Sequence, residues 1–240
     1  MTSKKEVSSA GELALITVKA GLASISGGGV LSVLLDHYIP TTWQKRQEEL
    51  LEQIREDFER LKIRLNNQRL SSEDFHITMI KIIRDAIVEP HKEKQEAFRA
   101  ILINETINPS PNLEIDFFIK ITEDLTCEHI GALKILANPQ DVHDKNPAVR
   151  AAIDSMKSMN RERLGDDGII PRLLTPAMPS VPADHWLVVL DGLTRSGLIV
   201  DPGMARGGVT AWTSPRTPQD ILQKRTTSLG DRYIQFITLP

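Results

Sequence analysis

Cysteine is almost missing from this chain. Cys127 stands alone among 240 residues, so no internal disulfide can form, and no Cys/His cluster has the spacing of a zinc finger. A reducing compartment, the cytoplasm, is the expected setting. Charge of one sign is missing too: 29 Lys and Arg face 32 Asp and Glu, for a formal net charge of -3. That balance weighs against a protein whose main task is to coat nucleic acid. Hydrophobic residues make up 40% and charged residues 25% of the chain, which excludes a wholly disordered chain, a collagen-like repeat and a polytopic membrane protein. The length allows one large domain or two smaller ones with separate cores.

Long hydrophobic runs are also scarce. The uncharged stretch from Ala20 to Leu35, AGLASISGGGVLSVLL, lies between Lys19 and Asp36 and falls short of the ~20 apolar residues a spanning helix needs. Lys4 and Lys5 precede it in the manner of a secretory signal. Lys19 interrupts the pattern and no cleavage site follows, which speaks against a cleaved signal. If the stretch is helical, Ala20, Ser24, Gly28 and Ser32 recur every four residues and form a groove of small side chains that another helix can approach closely. The Gly27-Gly28-Gly29 run favours a break and a short buried hairpin instead. Oligomeric packing or reversible membrane insertion, and a buried helix pair, both stay open. A phosphate-cradling loop is disfavoured, because no Lys-Ser/Thr follows the glycines.

Most of what is present is helical pattern. Behind Pro40, Thr41 or Thr42 can cap a helix in which Leu50, Leu51, Ile54, Phe58, Leu61 and Leu65 recur at three- and four-residue steps, with charges on the other face. Ser71 or Ser72 starts a second run, with Phe75, Met79, Ile82, Ile83 and Ala86 on one side. Pro90 kinks or restarts it, and Phe98, Ile101 and Leu102 face inward beyond. NPSPN at 108–112 is a break, LEIDFFIKITEDL a short helix, and Thr126 with Glu128 opens CEHIGALKILANP.

The order of these features, with IPTTWQKRQEELLEQI, EKQEAFRAILIN and LTCEHIGALKIL within it, resembles the bacterial abortive infection alpha family. The likeness runs from about Gly21 to Phe236. It implies a small, mainly helical bacterial protein linked to antiviral defence against phage, with a poorly defined mechanism.

Towards the C-terminus, DVHDKN reads as a polar loop before a helix near 147–163, and PRLLTPAMPSVP as a Pro-punctuated connection. A helix then ends at Gly197. GLIV, the turn DPGMARGGV, VTAWT and a terminal helix with Tyr233, Phe236 and Ile237 on one face complete the layout of a winged helix. The expected fold is mainly α: a helical bundle with a C-terminal winged-helix-like subdomain containing a small β-hairpin. The expected division is an apolar Gly-rich segment at 1–40, an amphipathic helical domain at 41–125, and the winged-helix-like part with a helical insert at 126–240.

Chemistry is sparsely marked. The six histidines are scattered, without HExxH or a nucleophile elbow. Cys127 and His129 are two residues apart at a helix start and face different directions, which reads as a partly buried thiol and a surface imidazole. Asp141, His143 and Asp144 can collect a divalent cation in a loop, but the simpler reading is a solvated triplet. Arg195 and Arg206 are the positive charges placed to touch a DNA backbone, beside the acidic Asp184 and Asp191. The expectation is therefore of no catalytic residue, metal or cofactor. It includes a homo-oligomer, an association with the inner membrane through the N-terminal segment, and a phage or host protein as trigger. Nucleic acid ranks below a protein partner.

Overall fold

The computed structural model describes residues 44–61, 72–157, 169–200 and 222–240. Among them the chain is mainly helical, in two compact units. The first comprises α1 (Gln44–Leu61), α2 (Glu73–Val88), α3 (Lys92–Ile107) and α4 (Asn112–Asp124), with the C-terminal Phe236–Pro240. The second, Leu125–Gln235, holds α5 (Cys127–Ala137), α6 (Pro139–Lys145), α7 (Pro147–Lys157), α8 (Ile169–Ala177), a 3-10 turn (Ala183–His185) and α9 (Trp186–Arg195). It also holds all but the last residue of α10 (Ser228–Phe236).

In the first unit the apolar stripes face one core. Leu50, Leu51, Ile54, Phe58 and Leu61 from α1 are buried with Phe75, Met79, Ile82, Ile83 and Ala86 from α2. Phe98, Ile101 and Leu102 from α3 and Ile115, Phe118 and Ile119 from α4 complete it. Each of these leucine, isoleucine, phenylalanine and methionine side chains contributes roughly 1.5–3 kcal/mol by leaving water. Ser72 caps α2, its hydroxyl accepting the Phe75 N–H at 3.3 Å. Pro90, which lacks an amide donor, separates α2 from α3 rather than kinking one helix. The C-terminal segment is strapped on by polar bonds: Asn104 Nδ2 donates to the Phe236 and Thr238 carbonyls, each at 2.9 Å, and Arg60 to the Pro240 carbonyl at 3.1 Å. The Phe236 ring lies 5.0 Å from that of Phe118.

In the second unit α5 packs on α9, and α7 on α8. Trp186, fully buried, donates its indole N–H to Thr175 Oγ1 at 3.0 Å. At the end of α9 the Gly197 N–H donates to the Thr194 carbonyl and the Leu198 N–H to the Leu193 carbonyl, a Schellman closure. It requires a left-handed residue, and Gly197 has φ +69°. The chain then pairs antiparallel at Ile199 and Thr226.

Three expectations need correction. PRLLTPAMPSVP is no mere connection, for its first half lies in α8 (Ile169–Ala177). Pro171 sits in the first turn, where a missing amide costs nothing, Pro176 falls at the last turn, and Ile170, Leu173 and Leu174 are buried. DVHDKN is not a loop: Pro139 starts α6, and the pairs Gln140 to Asp144 and Lys145 to Asp141 brace it one turn apart. No β-strand, and so no complete hairpin, is present among the described residues. The GLIV segment pairs at Thr226, and VTAWT lies outside those residues.

Candidate functional site

The groove residues Ala20, Ser24, Gly28 and Ser32, and Arg206 of the expected wing, lie outside the described residues. Arg195 lies at the last turn of α9, with its guanidinium 2.6 Å from Asp191. Its side chain is 79% exposed, so the pair contributes little to stability. Asp184 and His185 in the 3-10 turn, and Leu187, Val188 and Asp191 in α9, are exposed as well. Leu187 and Val188, 60% and 69% exposed, are the apolar side chains among them, and the carboxylates outnumber the guanidinium. This surface is apolar and acidic.

The candidate chemical groups are each committed to local structure. Asp141 pairs with Lys145 at 2.7 Å, while Asp144 accepts from Gln140 and meets His143 Nδ1, both at 2.9 Å. The hydrogen bond from His143 holds the Asp144 carboxyl below its usual range. The two carboxylates thus turn to different partners, and no group of three or more His, Cys, Asp or Glu residues is placed to hold a metal ion among the described residues. Cys127 is half-buried at the first position of α5. His129 is not the surface imidazole expected. It is half-buried, with Nδ1 2.9 Å from Thr126 Oγ1 and 3.3 Å from the Thr126 backbone N–H, which it accepts.

A second cluster, in the first unit, has no signature in the sequence. Lys94, nearly buried at the start of α3, lies 3.0 Å from Glu89 Oε2 and donates to the Glu123 carbonyl at 3.1 Å, tying the ends of α2 and α4 to α3. Glu89 also accepts the His91 N–H at 3.0 Å. Burial works to raise the Glu89 carboxyl, but the His91 amide and the Lys94 ammonium prevail, and it lies below the usual range. Nearby, Asp85 is pushed upward, first by burial and then by the Glu123 carboxyl within hydrogen-bonding reach. Two carboxyls bond only when one carries a proton, and Asp85 Oδ2 is buried with no donor against it.

Asp85 therefore has a pH signature. Folding raises its pKa, so the folded state retains a proton that the unfolded chain releases above the ordinary carboxylate range. The associated stability is complete below that range and is lost as pH rises through the raised value. Asp85→Asn, which keeps a donor facing Glu123, is expected to raise the melting temperature by a few degrees near neutral pH and to leave it unchanged near pH 3, below the ordinary carboxylate value. Thermal unfolding of both proteins across that window checks this.

No family model, curated protein or solved structure matches the chain.

Proposed function

We propose that this chain is a non-enzymatic helical protein of bacterial phage defence, acting in abortive infection through self-association or membrane association of its N-terminal apolar segment. The resemblance to the abortive infection alpha family supplies the biological setting. The groove of Ala20, Ser24, Gly28 and Ser32 supplies the association surface. Among the described residues no helix is long and apolar enough to cross a membrane, so membrane contact in this reading falls to that segment.

The groove carries the reading, and the exposed surface of α9 weighs against the DNA-binding alternative. Asp184 and Asp191 would repel a phosphate backbone, and the nearby cation, Arg195, is already paired with Asp191. An apolar, acidic helix face suits a protein partner better than DNA. The same logic applies to the polar groups weighed for chemistry, which serve as caps and braces.

Substituting Ser24 and Gly28 by leucine fills the groove without adding charge. The double variant is expected to lose oligomer size in solution and to lose toxicity in infected cells, whereas unchanged assembly and activity would remove this role from the groove.

A second reading, a cytosolic winged-helix regulator with a helical dimerisation domain, is favoured by one observation. A helix closed at Gly197, an antiparallel pairing at Ile199 and Thr226, and α10 follow in winged-helix order. In that reading Arg195 and Arg206 touch the DNA backbone. Replacing both by alanine would then weaken DNA binding at low salt, and an absence of binding by the unaltered chain would end it.

A further inference from the structure

We propose that Thr126, His129 and Gly192 form a proton-released latch, which holds the first turn of α5 against α9 while the His129 ring is neutral and lets go when the ring is protonated. The geometry requires a lone pair on Nδ1. That nitrogen accepts the Thr126 backbone N–H at 3.3 Å and lies 2.9 Å from Thr126 Oγ1, while the Thr126 hydroxyl faces the His129 N–H, completing a capping box. The neutral ring must therefore carry its proton on Nε2. A proton added at Nδ1 takes the acceptor away from the Thr126 backbone N–H, reverses the hydroxyl contact so that the ring donates to Oγ1, and puts a positive charge at a helix N-terminus, where the backbone dipole opposes it.

The other edge of the ring is what joins the two helices. Gly192, in the middle of α9, leaves room for it: a Cβ placed there would stand 2.5 Å from His129 Nε2. A glycine inside a helix costs ~1 kcal/mol relative to alanine, and here the missing side chain is what admits the imidazole. His129 thus caps its own helix with one nitrogen and packs on its neighbour with the other.

Few charges compete for control of the ring. Burial holds the ring below its ordinary pKa of 6.5, against the pull of Glu128, the preceding residue, which favours the charged form. On α9, Asp191 and Arg195 pair with each other on the exposed surface. On α6, packed against α5, Asp141 pairs with Lys145, and Asp144 with His143. Because folding lowers the pKa, the latch is fully engaged above the ordinary imidazole value and is lost as pH falls through the lowered one. Thr126 is the second residue of the unit Leu125–Gln235, so release acts where that unit begins.

The test uses His129→Gln in the full chain. Glutamine at this capping-box position offers a carbonyl oxygen to the Thr126 N–H but does not titrate. Thermal unfolding between about pH 7.5 and pH 5 should show a melting temperature falling several degrees further in the unaltered protein than in the variant, the other histidines being common to both. Equal falls in the two proteins would overturn the latch. Should the variant not fold, the imidazole resonance of His129 and the amide resonance of Thr126 can be followed by NMR in the unaltered chain. The latch requires them to titrate together, with a midpoint below 6.5. A ring that titrates at or above that value, or an amide that ignores the ring, would contradict it.

Discussion

Replacing Gly230 with alanine is expected to cost about 3 kcal/mol, the upper end of what overpacking a closely fitted site costs. Gly230 lies in the first turn of α10, where its N–H donates to Thr227 Oγ1 at 3.0 Å. Thr227 itself donates its backbone N–H to the Leu198 carbonyl at 3.0 Å. Glycine lets the helix press directly on the paired segment: a Cβ there would stand well inside contact with the Leu198 carbonyl oxygen and 3.0 Å from its carbon. These are backbone atoms and cannot swing aside, so either the helix must shift or the pairing at Ile199 and Thr226 must open. A fall of ~10 °C in melting temperature follows for a chain of this size. Gly131→Ala is the control, because its Cβ would meet the flexible end of Met178 and the helix gains a better former. A Gly230→Ala protein as stable as the control would show that α10 does not approach Leu198 so closely.

The second large effect is expected at Asp57. This buried carboxylate of α1 lies 3.0 Å from Arg99 Nε of α3 and 2.9 Å from Arg60 Nη2 on its own helix. The Arg99 approach has ion-pair distance without hydrogen-bond alignment, and the guanidinium also donates to Gln53 Oε1. Asp57→Ala removes the counter-charge and leaves Arg99, whose side chain is 15% exposed, without it. Breaking a nearly buried pair from one side costs about 3 kcal/mol. Replacing both partners with apolar residues of similar size, Asp57→Leu with Arg99→Met, is expected to cost less than the single change, since no buried charge remains. Urea unfolding of the three proteins measures the difference. A double variant less stable than Asp57→Ala would mean that the charges themselves hold α1 to α3.

What could be read in advance followed from local repetition. The apolar steps of α1 up to Leu61 and those of α2 name buried residues correctly, Leu65 lying outside the described residues, because a stripe at helical spacing has only one face to hide. Ser72 and Pro90 mark boundaries through properties of single residues. Tyr233 and Ile237 are buried as the terminal helix pattern requires. What escaped was whatever depends on a second element. Pro171 and Pro176 read as punctuation until the burial of Ile170, Leu173 and Leu174 places them in the end turns of a helix. Nothing near Asp85 indicates that Glu123, on another helix, shares its surroundings. His129 was seen, but its partner on α9 is a glycine, which carries no chemical signature. At 1–40 the sequence alone is the guide to function, while on α9, which bears on the DNA-binding alternative, the structure adds exposure and charge pairing to a pattern already visible.

The most direct measurement is fractionation of the native protein between cytosol and inner membrane, with and without residues 1–39, followed by light scattering of the soluble pool. A membrane-associated or oligomeric pool is expected in the full chain and should be lost on truncation. A full chain that is wholly cytosolic and monomeric would contradict it, and would turn attention to the surface of α9 as the working part of the molecule.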